Sequence, residues 1–513
     1  MPRAAIKEKE KDMTSKNAFA LALAVALPAS AEIVVTVDPS AEVGPIKAMN
    51  AVNNGPSKAR ADQSRGNFAD YKAARFGYAR THDSINQATS NGHTVDISAV
   101  FPDFDADESD PRSYDFAYTD EFLRTIVASG TEPFFRLGQT IENGIKKYHV
   151  RPPKDFAKWA RVCERVMAHY LEGWADGFAY KIDYWEIWNE PDAQPDEKKD
   201  ESCQWGGTRA EFFAFYRTVA QHLKARFPDR KVGGPSLGFR EDWADAFLAY
   251  QRAAGTPIDF FSFHWYGHVA TSAGRSGVCP STMADLCRRM RARLDRHGYV
   301  KTEAILNEWN FVKGWTDEYP YSCVTISQAK GGAFAAASMS SCQDAPVDML
   351  MYYDARPGTV FNGLFDFYTY KPRPAYCALF NWSLLRDLGT QVRATVETPG
   401  LGDLAAKCRT RQYREWYAAY EMPDNVRYGA VTAVAARGAD GRLGILVTRY
   451  NDDNNITSPD RCVIRLARGA FARPARAALT DDARLNTLTR LVPEADGSLV
   501  LSLEPNAFVY VEY

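Results

Sequence analysis

The chain has 513 residues, of which 45% are hydrophobic and 25% are charged, a composition typical of a soluble globular protein. This length accommodates one large domain of about 250–350 residues together with a smaller one. The formal net charge of −2 gives no electrostatic reason to expect nucleic acid or an anionic membrane surface as a partner.

The amino terminus has the pattern of a targeting signal. Residues 7–16 are basic, residues 18–27 are apolar, and Ala29-Ser30-Ala31 has the small-x-small form of a cleavage site. The apolar segment is too short to span a bilayer permanently. We therefore predict that residues 1–31 are a signal peptide and that the protein is exported, to a bacterial periplasm or beyond. A buried first helix is the alternative.

Short apolar segments that predict buried strands then alternate with segments of helical periodicity. In residues 154–171 the apolar side chains fall on one helical face, and Thr208 with Glu211 forms a capping box that opens another helix. This alternation predicts a parallel sheet, and eight repeats predict an α/β fold, a closed (β/α)8 TIM barrel, over residues 46–388. The eight strand candidates are residues 43–49, 76–80, 132–137, 184–188, 231–233, 260–264, 304–307 and 349–353.

The pattern changes near residue 389. Short strand candidates separated by turns follow, with no long helical pattern between them, which favours a C-terminal β-sandwich over residues 389–513. Residues 32–45, which precede the barrel, could add a strand to that sandwich. We expect the sandwich to stabilise the chain or form an oligomer, with carbohydrate binding as the alternative. Its strand candidates are residues 431–435, 443–449, 463–466, 499–503 and 507–512.

Two of the predicted barrel strands end in Asn-Glu. Glu190 follows the fourth strand, and Glu308 follows the seventh. Barrel enzymes carry their chemistry at the carboxyl ends of the strands, and two carboxylates are the minimum for hydrolysing a glycosidic bond. One Asn-Glu could be part of a structural ion pair, but two of them, three βα units apart, favour catalysis. We predict that Glu190 is the acid/base and Glu308 the nucleophile of a retaining reaction. Asn189 could bind the sugar's 2-hydroxyl, and Trp309 could border the sugar pocket.

These motifs make the chain resemble glycoside hydrolase family 39, most of all its bacterial β-xylosidases, with α-L-iduronidase more distant. The resemblance implies a TIM barrel followed by a sandwich, and it implies the same roles for Glu190 and Glu308. It also implies that the non-reducing sugar is lined by Arg80, His82, Asn189, His264 and Tyr266. The matching segments are residues 188–191, 307–309, 261–267, 79–83 and 114–118.

Two of these residues have further expected roles. Tyr266 could hold Glu308 in position. Arg80 has an alternative role: instead of binding sugar, it could serve only to pair with a catalytic carboxylate and keep that carboxylate ionised.

We therefore expect an exo-acting, retaining β-D-xylosidase that releases xylose from the non-reducing end of xylo-oligosaccharides, with no metal or cofactor. The alternatives are an α-L-arabinosidase, an iduronidase-like enzyme, an endo-acting polysaccharide hydrolase and, in another class, a non-catalytic sugar-binding protein. An acidic sugar would need a cation nearby, for which Lys313 and Arg356 are the candidates. The eighth strand lacks the tryptophan that xylosidases of the family tend to present, and Phe361 could supply an aromatic wall instead.

Overall fold

Two sheets, one closed and one open, organise the part of the chain that the computed structural model describes. The predicted signal peptide, residues 1–31, and Asp83 of the Arg-Thr-His-Asp motif lie outside the described residues. The described residues are 32–57, 66–82, 90–142, 146–193, 204–238, 240–270, 276–398, 429–454 and 456–513.

The closed sheet is the predicted barrel of eight parallel strands, and it follows a separate strand, β1 (Glu32–Pro45). Each barrel strand pairs with the next in the chain, and the last pairs with the first. The TIM-barrel prediction is therefore confirmed. The strands are β2 (Ala48–Asn53), β3 (Tyr78–Thr81), β4 (Glu132–Leu137), β5 (Tyr184–Ile187), β6 (Lys231–Leu237), β7 (Phe260–His264) and, after a hairpin of β8 (His268–Ala270) and β9 (Ser276–Val278), β10 (Glu303–Trp309) and β11 (Met349–Tyr352).

Helices surround this barrel, and their ends follow capping signals in the sequence. Thr208 caps its helix in the predicted capping box, in which its side chain and that of Glu211 each bond the other's backbone N–H. Asp155 caps the helix that begins at Phe156, where its side chain accepts hydrogen bonds from two backbone N–H groups. The helices are α1 (Phe68–Ala74), α2 (Ile97–Val100), α3 (Ala117–Ala128), α4 (Phe156–Leu171), α5 (Arg209–Arg226), α6 (Glu241–Ala253), α7 (Ser281–Arg296), α8 (Tyr319–Thr325), α9 (Ala329–Gln343) and α10 (Pro374–Leu388), with 3-10 turns at Ser90–Val95 and Pro111–Ser113.

The interior of the barrel has an apolar layer and a polar layer. Side chains on a strand alternate between its two faces, so every second residue points inward. The apolar layer includes Phe134, Tyr184, Phe260 and Ile305. Two residues further along their strands, toward the carboxyl end, the inward positions are polar and hydrogen bonded, as at Glu186 and at its partners Ser262 and Asn307. The polar layer forms the floor beneath the predicted catalytic glutamates.

Two barrel strands differ from their predicted positions. The predicted first strand, residues 43–49, is wrong, because β1 ends at Pro45 and β2 begins at Ala48. Asn53 on β2 has a buried hydrogen-bonding role, donating to the backbone oxygen of residue 307 at 2.7 Å, and its polarity obscured the strand. β6 runs to Leu237 although Pro235 predicts a break. This extension carries Ser236 to the site.

The open sheet has nine strands in the order β17-β16-β19-β14-β13-β12-β1-β15-β18. β1 lies inside this sheet, antiparallel to β12 and parallel to β15. Residues from one face of these strands share a single core, as in a sandwich. β12, β16 and β17 were not predicted from the sequence. β16 and β17 are rich in Ala, Thr and Arg, and β12 alternates apolar residues with polar or charged ones over part of its length. The strands are β12 (Thr390–Glu397), β13 (Gly429–Arg437), β14 (Leu443–Asn451), β15 (Asp460–Leu466), β16 (Ala475–Thr480), β17 (Thr487–Leu491), β18 (Leu499–Leu503) and β19 (Ala507–Glu512).

The sandwich packs directly on the barrel. Helices α9 and α10 of the barrel contact β13 and β14, and α9 is buried almost throughout its length. A helix enclosed in this way accommodates the small residues that dominate α9, such as Gly331 and Gly332, each of which lies against neighbouring backbone. In the described part of the chain, none of the helices combines the length and apolar character needed to cross a bilayer.

Candidate active site

A bulge in β10 directs two consecutive side chains toward the barrel axis. The register with β7 shifts between Leu306 and Glu308, so that one extra residue is accommodated on β10. As a result Asn307 bonds Glu186 in the polar layer, and Glu308 also reaches the site. Both side chains of the Asn307-Glu308 motif therefore point into the barrel.

The backbone around Glu190 takes an unusual path. Trp188 and Glu190 have positive φ angles of 74° and 45°, a conformation that costs free energy unless neighbouring structure holds it. Trp188 N donates to Leu137 O at 3.0 Å, and Glu190 N donates to Ser236 O at 2.8 Å. Gly138 permits this approach, since a Cβ there would lie 2.9 Å from Trp188 Cα. Strands β4 and β6 thus hold Glu190 from both sides.

The two glutamates face each other across a short gap. One carboxylate oxygen of Glu190 lies within 4.8 Å of one of Glu308. The side chain of Glu190 is 22% exposed, whereas that of Glu308 is 3% exposed. Carboxyl groups about 5–5.5 Å apart are typical of retaining glycosidases, and a separation of about 6.5–9.5 Å is typical of inverting ones. An approach of two oxygens within 4.8 Å is consistent with the retaining arrangement.

Arg80 is a fully buried hub beneath Glu308. A guanidinium has five N–H donors, and all five of them have acceptors here. Nε donates to Glu186 Oε2 at 2.5 Å, and Nη1 donates to Asn53 Oδ1 and Glu308 Oε1 at 3.0 and 2.7 Å. Nη2 donates to Asn189 Oδ1 at 2.7 Å and to Ser236 Oγ at 2.9 Å. Arg80 has no N–H left for a sugar, so the geometry favours its alternative role as partner of the catalytic carboxylate.

The surroundings of Glu308 favour its ionised form. Burial alone would raise the pKa of this carboxyl group, but the positive charges of His264, His82 and Arg80 and the hydrogen bond from Tyr266 outweigh it and lower the pKa. Tyr266 Oη donates to Oε2 at 2.8 Å, and His82 Nε2 lies 3.3 Å from Oε1. An ionised Glu308 is what a nucleophile requires.

His264 lies between the two glutamates. Its Nδ1 is 2.8 Å from Glu190 Oε1 and 3.4 Å from Glu308 Oε2, and its Nε2 is 2.6 Å from Ser236 Oγ. Burial would lower the pKa of the imidazole, but the charge of Glu308 and the hydrogen bond and charge of Glu190 raise it. Because His264 is hydrogen bonded to Oε1 of Glu190, Oε2 is the oxygen that could transfer a proton.

The amide of Asn189 has a fixed orientation. Its Oδ1 accepts hydrogen bonds from Arg80 Nη2 and from Ser236 Oγ, the latter at 3.3 Å. These donors decide which end of the amide is oxygen. Its buried Nδ2 has no partner among the residues that the structure describes, so the group is available as a donor to a substrate hydroxyl. Asn189 is therefore placed where the predicted contact with a sugar hydroxyl could form, and that contact stays a prediction.

Aromatic rings extend from the nucleophile toward the surface. The ring of Tyr266 contacts Trp315 edge-on, with centroids 4.9 Å apart, and Trp315 contacts Phe361 at 5.6 Å. Phe361 also contacts Tyr353, which lies against the ring of His82. We call Tyr266, Trp315, Phe361 and Tyr353 the aromatic wall. Phe361 thus occupies the kind of position that the sequence suggested for it.

Trp309 lies elsewhere. Its ring is fully buried in the hydrophobic core and packs against Tyr352 at 5.1 Å and Phe334 at 6.3 Å. It therefore supports β10 from the helix side and does not line the pocket, contrary to expectation. The residue after the bulge points back toward the helices, because side chains alternate along a strand.

Several residues of the site were not predicted. Glu186 accepts from Arg80, from Ser262 Oγ at 2.6 Å and from Asn307 Nδ2 at 2.7 Å. Ser236 joins Arg80, Asn189 and His264. A signal for Glu186 exists, since a carboxylate in the middle of a buried strand needs a partner. Ser236 offers no such signal in the sequence.

The site also contains a potential set of metal ligands. Glu190, His264 and Glu308 each offer one atom within 4.8 Å of the other two. However, Arg80 and Tyr266 already bond both oxygens of Glu308, so a cation would have to compete with a buried guanidinium. The donor set suits proton transfer and covalent catalysis better than metal binding.

These features match a known protein family. The sequence model of Glycosyl hydrolases family 39 matches residues 33–348, which include every barrel strand from β2 to β10 and both glutamates. The chain belongs to glycosyl hydrolases family 39. The range matched by the family 39 model contains Arg80, His264 and Tyr266 as well as Glu190 and Glu308.

Individual relatives resemble parts or all of this family 39 chain. A β-xylosidase from Geobacillus stearothermophilus is 28% identical over 202 residues, which cover 37% of this chain and 36% of that protein. The matched segment thus spans about a third of that relative. The fold is similar to that of a glucosidase from Croceicoccus marinus, with a TM-score of 0.68 and 21% identity over 94% of this chain and 98% of that one. The fold is also similar to that of a monomeric β-xylosidase from Caulobacter crescentus CB15, with a TM-score of 0.63. The two sequences are 17% identical over 93% of this chain and 99% of that one.

Proposed function

We propose that the protein is a retaining, exo-acting β-D-xylosidase that releases xylose from the non-reducing end of xylo-oligosaccharides. The observation that carries this proposal is the carboxylate pair, with oxygens of Glu190 and Glu308 within 4.8 Å. Family 39 membership and the β-xylosidase of Geobacillus stearothermophilus, a partial match, support the choice of sugar.

In the first half-reaction, Glu308 attacks the anomeric carbon of the bound sugar. The bond from that carbon to the leaving oxygen breaks as the bond to Glu308 forms. Glu190 donates its proton to the leaving oxygen, so the released product carries a hydroxyl group. Asn189 Nδ2 is placed to donate to the 2-hydroxyl, a contact that strengthens in the transition state.

In the second half-reaction, Glu190 acts as a base. The ester on Glu308 carries no charge. The carboxylate of Glu190 is therefore no longer repelled by an anion on Glu308, and the guanidinium of Arg80 no longer balances one. Glu190 removes a proton from water, and the water oxygen bonds to the anomeric carbon. The ester bond breaks, which restores the carboxylate of Glu308 and the proton of Glu190. Two inversions give overall retention.

The candidate cations for an acidic sugar are already engaged. Lys313 Nζ lies 3.7 Å from Glu318 and 5.1 Å from the centre of the Tyr321 ring. Arg356 Nε lies 3.3 Å from Asp354 Oδ2. A uronic acid would have to displace one of these partners, which disfavours the iduronidase-like alternative.

The deciding experiment measures initial rates on an aryl β-D-xyloside for the wild type and for Glu308→Ala. We expect the wild type to be active and the variant to lose nearly all activity, since Glu308 is the group that forms the ester in the proposed reaction. An aryl α-L-arabinoside and an aryl β-D-glucoside serve as comparison substrates. A wild type that prefers either of them would overturn the choice of xylose, and an inert wild type would overturn the glycosidase proposal.

We also propose that the protein is exported. The support is the basic and then apolar leader that ends in Ala29-Ser30-Ala31. We expect the mature protein, recovered outside the cytoplasm, to have the intact mass of a chain that begins at Glu32. Recovery of the full-length chain from the cytoplasm alone would contradict this.

A further inference from the structure

The loop after β7 determines where Tyr266 meets the nucleophile. Beyond Tyr266 it turns at Gly267, where a Cβ would lie 2.7 Å from the ring of Phe334 on α9 and 3.4 Å from Val278 Cγ1. It then runs through the hairpin of β8 and β9, and Cys279 N donates back to Gly267 O at 3.1 Å. The turn at Gly267, next to Tyr266, therefore packs closely against Val278 and α9.

Residues of the sandwich bind this hairpin. Val278 N donates to Asp452 Oδ2 at 3.0 Å, and Tyr450 Oη donates to Val278 O at 3.0 Å. Both backbone polar groups of Val278 are therefore bound by side chains from the end of β14 and the turn that follows. Asn454 lies two residues beyond Asp452. We call Tyr450, Asp452 and Asn454 together the β14 clamp.

The β14 clamp also contacts the connection between β10 and α9, in which Trp315 of the aromatic wall precedes helix α8 and Tyr321 lies on it. Asn454 Nδ2 donates to Tyr321 Oη at 3.2 Å. Lys330 Nζ, from α9, donates to Asn454 Oδ1 at 2.6 Å and to the backbone oxygen of Asp452 at 2.5 Å. Two loops of the catalytic face and one barrel helix thus converge on a single turn of the sandwich.

The charges in this junction are buried. The side chains of Lys330 and Asp452 are 6% and 4% exposed, with Lys330 Nζ 3.6 Å from Asp452 Oδ1. A buried ion pair contributes little net stability, because desolvation offsets the attraction. Each group nevertheless has several partners at defined angles, which specifies one arrangement of the loops. The junction is therefore better suited to fixing geometry than to stabilising the fold.

We propose that the β14 clamp is a positioning element of the active site, in which Asp452 and Tyr450 hold Val278 and thereby hold Tyr266 against Glu308. The inference rests on the function proposed above, since it takes Glu308 as the nucleophile. The sandwich then has a role beyond stabilising the chain, because it supplies positioning residues for chemistry on the barrel.

The test compares Asp452→Ala, Asp452→Asn and Tyr450→Phe on the aryl β-D-xyloside. We expect Asp452→Ala to lower kcat by about tenfold or more, since small displacements of a group near the reacting atoms have such effects. Asp452→Asn should retain most of the activity, because its amide oxygen can still accept the Val278 N–H. Tyr450→Phe removes one hydroxyl from the clamp and should lower kcat by an intermediate factor.

Asp460→Ala is the matched control. Asp460 is also a buried sandwich carboxylate, paired with Arg449 of β14 at 2.8 Å, but Arg449 otherwise bonds Ser458 O and Leu503 O within the sandwich. This variant should lower the thermal midpoint and leave kcat unchanged. Equal kcat values for Asp452→Ala and Asp460→Ala would overturn the positioning role.

Two further readouts separate positioning from general damage. In a Tyr266→Phe background, Asp452→Ala should change kcat by about twofold at most, because the effect passes through the missing hydroxyl; fully additive losses would overturn the proposal. Hydrogen exchange of the peptide that contains Val278 should accelerate in Asp452→Ala and not in Asp460→Ala. If the wild type were inert on every glycoside, the proposed function would fail, and the exchange result would still decide whether the clamp holds this loop.

Discussion

At the scale of single residues, Arg80 defines the electrostatics of the site. One buried guanidinium bonds two buried carboxylates, Glu186 and Glu308. Burying an unpaired charge costs several kcal/mol, and Arg80 is one of the groups that lower the pKa of Glu308 against that cost. Because all five N–H groups of Arg80 are used, this charge is fixed in place before substrate arrives. Preorganised charge of this kind needs no reorganisation during the reaction.

Tyr266→Phe should shift the acid limb of the pH profile of kcat/KM to higher pH. The hydrogen bond from Tyr266 is one of the interactions that lower the pKa of Glu308. A lowered pKa keeps Glu308 ionised to lower pH, so the wild type should stay active further into the acid range. Without the hydroxyl the pKa rises, and protonation removes the nucleophile at a higher pH. The profile of kcat/KM reports this free-enzyme pKa.

The matched control for that experiment is Tyr352→Phe. Tyr352 is also a buried tyrosine, but it packs against Trp309 in the core, and its hydroxyl has no hydrogen-bond partner in the described part of the chain. Its acid limb should coincide with that of the wild type. A Tyr266→Phe profile with an unmoved acid limb would argue against a role of Tyr266 in ionising Glu308.

Glu190→Ala should slow substrates with poor leaving groups far more than those with activated aryl groups. Only a poor leaving group needs the proton that Glu190 Oε2 is placed to deliver. General acid catalysis typically contributes about 10²–10⁴-fold, and we expect a loss of that size in kcat/KM for xylobiose. A nitrophenyl xyloside should lose much less. Equal losses for the two substrates would remove Glu190 from the acid role.

At the scale of elements, predictions from the sequence succeeded where the signal is local. The positions of Glu190 and Glu308 at the carboxyl ends of barrel strands could be predicted because each comes at the end of an apolar segment. The start of α5 could be placed from Thr208 and Glu211, which are three positions apart. Ser236 could not be identified, because its partners are distant in the chain and it lies beyond a proline that predicts the end of the strand. Trp309 was misassigned, since its orientation depends on a bulge that only pairing with β7 reveals.

Trp315 of the aromatic wall should matter for binding the rest of the substrate. Its side chain is 49% exposed, yet contacts with Tyr266 and Phe361 fix its ring. A rigid, half-exposed aromatic face beside a catalytic residue suits packing against a sugar ring. Trp315→Ala should lower kcat/KM for xylotriose by about fivefold, equivalent to about 1 kcal/mol, and affect methyl β-D-xyloside less.

Tyr118→Ala provides the comparison for that measurement. Tyr118 has a similar exposure of 47% but lies on α3, in the outer layer of helices. Both substrates should react with this variant as they do with the wild type. If Trp315→Ala lowered the two rates by the same factor, the ring would act on the reacting sugar or on the fold and not on the remainder of the chain.

At the scale of the whole molecule, the barrel is inserted into the sandwich. β1 precedes the barrel and β12 follows it, yet the two strands pair along most of their length. Pairing β1 with β12 while the barrel is unfolded would close a very long loop, which costs conformational entropy. The α9 and α10 helices bury their outer faces against β13 and β14. Both features predict that barrel and sandwich unfold as one cooperative unit.

Ile445→Ala tests this cooperativity. Ile445 on β14 is fully buried in the sandwich core, and its truncation should destabilise that core by about 2–5 kcal/mol. Two buried thiols report on the two parts, Cys462 in the sandwich and Cys163 in the barrel. In a thermal ramp with pulsed alkylation and mass-spectrometric mapping, both thiols should become reactive at one midpoint, and Ile445→Ala should lower that midpoint equally for both. Earlier labelling of Cys462 in the variant, with Cys163 unchanged, would show that the sandwich opens alone and would contradict cooperative unfolding. The β14 clamp would then be lost while the barrel is still folded, and the positioning role of Asp452 predicts that activity falls at the midpoint of Cys462 and not at that of Cys163.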